Sequence, residues 1–394
     1  MTTSCALAAV LVLFSTICCA AQDQGSATVT LGPVKIQPSL VVHDIGQDHN
    51  VFNEPVNPKS DFTMTISPKA DVTFQARKLK TTLAQTVDFV YFKKYSSERG
   101  ANESTMVQVD VDLGVFQPFA SLRNTNTKSR PNNEIDERAR HDTQDYAVGL
   151  GVKLFTRTTV SVKVRRQDAS FDEGATFRGE SLARAFDATN LAIDTGVAIA
   201  LTPLTTASVI FTNERLRFDR APERDSNTFR VMPTLTFSPL GLLNGSASFG
   251  YRKFTPLDPV TPAFAGFVAQ VGAGVTLWEH HRFETTALRD LTYSYDRAAT
   301  YYIQNSLSAS WNYTFGGRFD TQLGAARNRM HYHQTSDFAG GDDTFTSYSA
   351  AFGWRALPRL RLAINGDFAR RHSLVSVERG YDNHRVYGTV TWGG

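Results

Sequence analysis

The residues that could perform chemistry in this chain are few, and histidines come first. His331 and His333 form an H-x-H pair, and two ring nitrogens at this spacing can bind a metal ion. Both lie beside a predicted loop, and His280 and His281 lie in a predicted short turn. Solvent-exposed histidines are the simpler explanation for all four, so the sequence predicts no metal site.

A cluster of loop acids is the second candidate for chemistry. Glu134, Asp136 and Glu137 stand next to Arg138 and Arg140, and we expect a solvated loop whose charges neutralise one another. No serine has neighbouring histidine and aspartate residues in a specific catalytic pattern. The sequence therefore predicts neither an enzyme nor a bound cofactor.

The N-terminal residues resemble a leader. Residues 6–21 form an apolar run that ends in small residues and is too short to span a bilayer, so we expect a signal peptide at 1–21 and one domain at 22–394. All three cysteines, Cys5, Cys18 and Cys19, lie in this leader. Acylation at Cys18 or Cys19 is the weaker alternative, because no small residue precedes Cys18. The mature chain would contain no thiol.

The overall charge argues against a nucleic-acid partner. The chain has 41 basic and 38 acidic residues and a net charge of +3, so no basic excess is present. No linker or change in composition divides the 394 residues, and long all-β folds often form one domain.

The elements that must position any site are β-strands. In the segment 144–167, apolar residues alternate with small or charged ones, which predicts a hairpin with one apolar face and one polar, solvent-facing face. The same alternation recurs about eighteen times, and short turns alternate with long polar loops. An even number of strands (16 to 18) with this alternation is typical of a transmembrane antiparallel β-barrel. A soluble sandwich or solenoid is the alternative, but neither explains the alternating connections.

Some strands break the alternation. Arg289 falls on the apolar face, and the phase slips between Phe211 and Leu216 and between Leu323 and Met330. Such slips predict β-bulges. Aromatic girdles are expected at the ends of the apolar face, at Tyr146, Phe155, Tyr301, Trp311, Tyr313, Phe315, Tyr348, Phe352 and Trp354.

The polar face of the strands would line a water-filled lumen. The predicted pore-lining residues are Asp110, Asp112, Lys153, Lys163, Arg165, Asp194, Arg361 and Asp367, with Asn365 and Arg371 in the same series. Both signs of charge occur, so the wall alone predicts no strong solute preference. The loops 127–142 and 169–189 are long enough to fold inward as a constriction, and the second contains apolar residues that could pack inside.

The first 95 residues carry a family resemblance. The segment KIQPSLVVHDIGQDHNVF at 35–52, then SDFTMTISPKADVTF at 60–74 with Pro68 in mid-strand, resembles the opening of a β-barrel porin family of Gram-negative bacteria that is associated with exopolysaccharide and exosortase gene clusters. The resemblance implies an outer-membrane barrel that lets a secreted polysaccharide out, and the family defines no catalytic residues.

The expected partners follow from this interpretation. They are outer-membrane lipids and lipopolysaccharide, secreted polysaccharide and its periplasmic export proteins, and the barrel-assembly machinery. The last strand, RVYGTVTW, places Trp392 on one face with Val386 and Val390, which resembles an assembly signal.

Two functions from different classes remain open at this point. One is a passive or polysaccharide-associated pore. The other is a non-conducting barrel that acts as a scaffold or surface-binding protein, its lumen filled by side chains and loops.

Overall fold

The computed structural model describes residues 28–238, 242–333, 340–375 and 379–393. The predicted signal peptide and the three cysteines lie outside the described residues. Eighteen long strands make up the wall: β1 (Val34–Asp48), β2 (Asp61–Ala76), β3 (Leu79–Phe92), β4 (Gly100–Val111), β5 (Phe116–Ser129), β6 (Ala139–Phe155), β7 (Thr158–Phe171), β8 (Ala188–Thr202), β9 (Thr205–Phe218), β10 (Ser226–Phe237), β11 (Leu243–Pro256), β12 (Phe264–Leu277), β13 (His281–Tyr293), β14 (Tyr301–Phe315), β15 (Phe319–Tyr332), β16 (Gly341–Leu357), β17 (Leu360–Ser373) and β18 (Tyr381–Trp392).

These strands form one closed sheet. Each strand pairs antiparallel with its neighbours in the chain, and β1 also pairs with β18, from Leu40 opposite Trp392 to Asp48 opposite Arg385. In hydrocarbon an unpaired amide is costly, so closure gives every strand two partners. The predicted all-β transmembrane barrel of about 18 strands is confirmed.

Short elements occur at the two ends of the barrel. A three-residue strand, Val29–Leu31, pairs with β1, and the hairpin Thr176–Phe177 with Glu180–Ser181 lies in the loop between β7 and β8. The same loop contains the helical turn Leu182–Phe186, and 3-10 turns occur at Ser96–Glu98 and Pro222–Arg224. The turn at Leu182–Phe186 is the one α-helical element among the described residues.

No helix among the described residues has the length and apolar character to cross a membrane.

The outer face of the wall is apolar. On β8, Leu191, Ile193, Val197 and Ile199 are exposed, while Asp194 between them is buried. Most predicted girdle aromatics also lie on the outside, as for Tyr146, Tyr348 and Trp354. Tyr301 is an exception, because it is buried in a core inside the barrel.

The predicted bulges at the phase slips are wrong. On β9 and β15 the register runs unbroken through Phe211 and Leu216 and through Leu323 and Met330. Leu216 and Met330 instead face inward and pack against buried apolar clusters near the ends of the strands. The inner face is therefore polar along part of its length and apolar where loops fill the barrel. Register does shift elsewhere, between Val42 and Ile45 in β1 for example.

Arg289 marks the place where β13 leaves its neighbour. The ladder between β12 and β13 ends at Ala269 opposite Arg289, whereas β13 and β14 stay paired up to Tyr293 opposite Tyr301. Arg289 Nε donates to the carbonyl oxygen of Phe267 at 3.3 Å, and Nη1 donates to Asn305 Oδ1 at 2.7 Å. Beyond this point the tip of the hairpin is buried in the core with loop residues.

The seam between β1 and β18 generates a stability prediction. A Cβ on Gly46 would overlap the carbonyl oxygen of Val386 and lie 2.6 Å from the Cα of Tyr387. We expect Gly46→Ala to force the two strands apart and to destabilise the barrel by about 1–3 kcal/mol, the usual cost of overpacking.

Heat-modified migration of the refolded barrel on gels, followed against temperature, measures the effect. Gly366→Ala on β17 is the matched control, because its new Cβ would meet no atom closer than 3.9 Å. Equal thermal stability of the two variants would contradict the assigned geometry of the seam.

Candidate functional site: the lumen and its loop closure

Three of the predicted pore-lining residues form one cluster on the inner wall. Arg165 on β7 donates to both carboxylate oxygens of Asp194 on β8, at 2.7 and 3.1 Å, and Lys163 Nζ lies 3.1 Å from Asp194 Oδ2. Thr212 on β9 donates to the same carboxylate at 2.8 Å. The strand alternation places all these side chains inside.

Three more predicted residues lie near the end of the short turns. A cavity of about 530 Å³ opens there, and its lining includes Asp110, Phe119 and Gly151. Asp112 also lines it, but from the turn after β4, where its carboxylate accepts from the Gly114 amide at 2.9 Å. Lys153 lies on β6 opposite Thr159 at the same end.

The remaining two predicted residues lie on β17 and have separate partners. Arg361 forms an ion pair with Asp320 on β15, with Nε 2.9 Å from Oδ2. Asp367 stands opposite Arg385, which contacts Asp44 and Asp48 across the seam. The eight residues thus occupy three regions of the wall, and their role in permeation stays a prediction.

The sequence interpretation missed a second charged cluster on the inner wall. Arg230 lies 3.4 Å from both Glu214 and Asp290, and Arg252 Nη1 lies 2.7 Å from Asp290. On β10, Arg230 alternates with Phe229 and Val231, so the period-two pattern contained a signal there. Glu214 stands between Asn213 and Arg215 on β9, where no apolar neighbour marked its position. Together with the Asp194 cluster they form a belt of ion pairs that runs from β7 to β13, seven of the eighteen strands.

The loop between β5 and β6, residues 130–138, crosses the barrel. Glu134 is fully buried and accepts hydrogen bonds from Ser294 Oγ at 2.6 Å, the Tyr295 amide at 3.1 Å and Tyr332 Oη at 2.8 Å. Tyr332 ends β15, nine strands from β6 in a barrel of eighteen, so the loop reaches the opposite wall. We call this contact the latch.

Two buried arginines extend the latch. Arg371 on β17 donates to the Glu134 carbonyl at 3.1 Å and to Asp136 at 2.8 Å, and it also bonds Asp343 at 2.5 Å. Arg379 donates to Asp343 at 3.0 Å and to Tyr295 Oη at 2.7 Å. Side chains of both signs are therefore buried together, which is favourable only when each finds partners.

The prediction of a solvated acidic loop is wrong for Glu134. It is 0% exposed, whereas Glu137 in the same loop is exposed. The reason is that the partners of Glu134 come from Ser294, Tyr295 and Tyr332, which are more than 150 residues further along the chain. No local pattern reports such a contact.

The loop between β7 and β8 folds inward, as its apolar residues predicted. Phe177, Leu182 and Phe186 are buried and pack with Ile135 of the crossing loop. They meet inward residues of the wall, such as Phe254, in one core. The helical turn is capped by Ser181, whose Oγ accepts from the Arg184 amide at 3.3 Å.

A third loop reaches the same core. Arg224 is 5% exposed, and its guanidinium lies over the rings of Phe218 and Tyr293. Its Nη2 donates to the carbonyl oxygens of Ser294 and Thr300. At the end of the barrel with long loops, loops 130–138, 172–187 and 219–225 and the tip of the β13–β14 hairpin thus pack together inside the barrel, and we call this arrangement the closed state.

Burial gives the latch carboxyl an unusual proton affinity. Loss of solvent raises the pKa of Glu134, although the charge of Arg379 and the hydrogen bonds from Ser294 and Tyr332 act in the opposite direction. The same loss of solvent raises the pKa of the Tyr295 phenol. The closed arrangement therefore favours a protonated Glu134 more than an open, solvated loop would.

The architecture defines a class. A closed barrel of eighteen strands with an apolar outside, a polar inner face and inward-folded loops is that of an outer-membrane channel. The chain belongs to the family described as "Putative beta-barrel porin 2", whose model matches residues 25–392. The predicted family is thereby confirmed as a porin family of the outer membrane.

Solved structures support the fold. The chain is similar to a BenF-like porin from Pseudomonas fluorescens Pf-5 (TM-score 0.52, 11% identity, 91% of this chain and 98% of that one) and to Pseudomonas aeruginosa OccK2 (OpdF) in complex with glucuronate (0.52, 10%, 91% and 98%). It is also similar to Acinetobacter baumannii OccAB4 (0.51, 10%, 90% and 97%). No curated protein matches the chain significantly.

Removal of the latch carboxylate should open the barrel. Glu134→Ala leaves buried donors from Ser294, Tyr295 and Tyr332 without their acceptor, and we expect the open population to rise about tenfold or more. Single-channel recording in planar bilayers measures this population. Glu137→Ala, an exposed glutamate in the same loop, is the control and should leave the recording unchanged. Identical traces for both variants would rule out the latch.

The proton affinity of Glu134 predicts a pH dependence. Because its pKa is raised in the closed state, closure is most stable below the ordinary carboxyl value of 4.5 and loses stability as pH rises through the raised value. We expect opening to increase with pH over that window. Glu134→Gln stays uncharged and should stay closed with a flat profile. An unchanged pH profile in this variant would show that another group titrates.

Proposed function

We propose that this protein is a porin-like channel whose extracellular mouth opens when the inward-folded loops move. The observation that carries this proposal is that the barrier is made of loops and not of the barrel wall. It consists of loops held by hydrogen bonds and a small core, whereas the wall below it presents ion pairs and small polar residues to the lumen. Loops have lower local stability than a barrel wall, so they can act as a gate.

The inner wall favours hydrophilic solutes. The inward positions of β14 and β16 carry Ser306, Ser308, Ser310, Ser347 and Ser349, beside the charged belt of β7–β13. Thr286 and Ser308 join by a hydrogen bond of 2.6 Å on this inner side. The lumen thus offers hydroxyl groups next to paired charges, a combination suited to sugars and sugar acids.

A conduit for secreted polysaccharide is the finer form of the proposal. The serine-rich track could exchange hydrogen bonds with a sliding sugar chain, and the resemblance at 35–52 and 60–74 supports that substrate class. Glucuronate in the fold relative OccK2 is a sugar acid, although that likeness concerns the fold alone. The solute would pass unchanged, so we propose no catalytic role.

A non-conducting barrel remains the second candidate, and one observation favours it. The latch is buried so completely that the Arg371 side chain is 0% exposed. In that case the loops would stabilise a closed surface protein that binds partners outside the cell.

We also propose the export route suggested by the sequence. Residues 1–21 would direct the chain through the inner membrane, and the assembly machinery would recognise β18 with its terminal Trp392. Periplasmic export proteins would then meet the opening near Asp110 and Asp112.

Deletion of the loop between β7 and β8 tests the proposed function. We expect the refolded 22–394 chain to be mostly silent in planar bilayers and to conduct steadily, at a porin level, when the latch is removed by Glu134→Ala and residues 172–187 are replaced by a short Gly/Ser linker. Heat-modified migration verifies insertion of both proteins. A correctly inserted deletion variant that remains silent would support the non-conducting barrel instead.

The Asp194 cluster predicts ion selectivity. Asp194→Asn removes the carboxylate that neutralises Lys163 and Arg165, so the lumen gains positive charge and should favour anions. The zero-current potential across a salt gradient, measured in the Glu134→Ala background, reports this shift. Asp168→Asn is the control, because Asp168 pairs with the exposed Arg166. A selectivity change of the same size in both variants would contradict the placement of Asp194 in the pathway.

A further inference from the structure

Four arginines occupy the outer face of the barrel, where a lipid bilayer would touch it. Arg289 lies on β13, Arg327 and Arg329 on β15, and Arg370 on β17. Arg327 points to the same outer face as the exposed Leu323, four positions earlier on β15. The side chains of Arg329 and Arg370 are 54% and 60% exposed. We call these four residues the basic patch.

The strand register brings the patch together. Arg289 and Arg329 both stand opposite Asn305 on β14, and Arg327 and Arg370 both stand opposite Thr346 on β16. One strand lies between the members of each pair, so two interstrand spacings, about 10 Å, separate their backbones. The four guanidinium groups therefore share one continuous surface.

The patch lies at the outer edge of the apolar belt. Phe319 begins β15 at the end with short turns, and Arg327 lies eight positions further along the strand. Eight residues span about 27 Å along a strand and about 20 Å along the membrane normal at the usual tilt, against a belt about 25 Å tall. A guanidinium is costly at the middle of a bilayer and tolerated at this depth.

The patch has more positive than negative charge. Arg329 pairs with Asp342 at 2.5 Å, and Arg370 pairs with Asp382 at 2.6 Å. The neighbours of Arg327 across the strands, Leu307 and Thr346, are uncharged. Two carboxylates thus face four guanidinium groups, with His331 and His372 near the same rim.

We propose that the basic patch binds the phosphate groups of an outer-leaflet glycolipid, lipopolysaccharide. The acyl chains would lie along the apolar belt below, around Leu307, Leu323 and Tyr348, while the phosphates accept hydrogen bonds from Arg327 and Arg329. The planar guanidinium group matches phosphate oxygens in bidentate pairs, which a lysine cannot do. The proposal is independent of whether the lumen conducts.

Charge differs around the circumference of the barrel. The outer face of β4 carries Glu103, which accepts a hydrogen bond from Gln85 at 3.1 Å. On β7 and β9, Arg166 and Arg215 both stand opposite Leu191, but Asp168 holds Arg166 at 2.9 Å. That pair serves as a control on the same outer face. It has the spacing of Arg327 and Arg370, and the third arginine beside it, Arg217, is held by Asp225 at 3.7 Å and Asn227 at 2.9 Å.

The test compares three double variants extracted from outer membranes in mild detergent. Native mass spectrometry counts the lipopolysaccharide bound per barrel in Arg327→Gln/Arg329→Gln, in the charge-retaining Arg327→Lys/Arg329→Lys and in Arg166→Gln/Arg215→Gln. We expect about thirtyfold weaker retention in the first, the factor for two basic side chains near an anionic leaflet. We expect intermediate retention of lipopolysaccharide in Arg327→Lys/Arg329→Lys and nearly normal retention in Arg166→Gln/Arg215→Gln.

The wild-type protein provides a second measurement that needs no variant to fold. Intact lipopolysaccharide should raise the temperature of heat modification, whereas enzymatically dephosphorylated lipopolysaccharide or inorganic pyrophosphate should not. Equal protection by the dephosphorylated lipid would overturn the proposal. So would equal losses in the first and third variants, or a changed oligomeric state with unchanged lipid, which would assign the patch to a second copy of the chain.

Discussion

A peptide group in hydrocarbon has no water to bind, and an unpaired one costs several kcal/mol. The rest of this molecule depends on that constraint. It requires the pairing of β1 with β18, which needs a register shift after Val42 and a glycine at position 46. Closure in turn creates a wall with two unlike faces, one for lipid and one for water. A ring of eighteen strands is also wide enough to leave a lumen, so something other than the wall must close it.

The closure is built from charges as well as from apolar side chains. Burying Glu134, Arg371, Arg379 and Asp343 together adds little net stability compared with an apolar core, but it requires a unique set of partners. Such a network suits a loop that must return to one position. The raised pKa of Glu134 would make that position responsive to pH. In a non-conducting barrel the same loops would form a permanent lid. The ion pairs that line the lumen below them would then have no role in permeation.

Much of the fold could be predicted from the sequence, because the two-residue period is a local property of each strand. The strand number, the alternating connections and the inward position of residues such as Asp194 all follow from it. The loop contacts could not be predicted in this way, since Glu134 meets residues of the opposite wall. The sequence nevertheless contained one signal of the inward-folded loops. Leu216 and Met330 looked like errors of register, although they are apolar because loops pack against the inner face there.

The central claim is that the crossing loop is the barrier, and a reversible cross-link tests it most directly. The 22–394 chain contains no cysteine, so Glu134→Cys/Ser294→Cys would carry the only two thiols. Single-channel current is recorded before bridging with a short disulfide-containing reagent, after bridging and after reduction. The account predicts conduction with free thiols, silence in the bridged state and conduction again after reduction. The same current in all three states would contradict it.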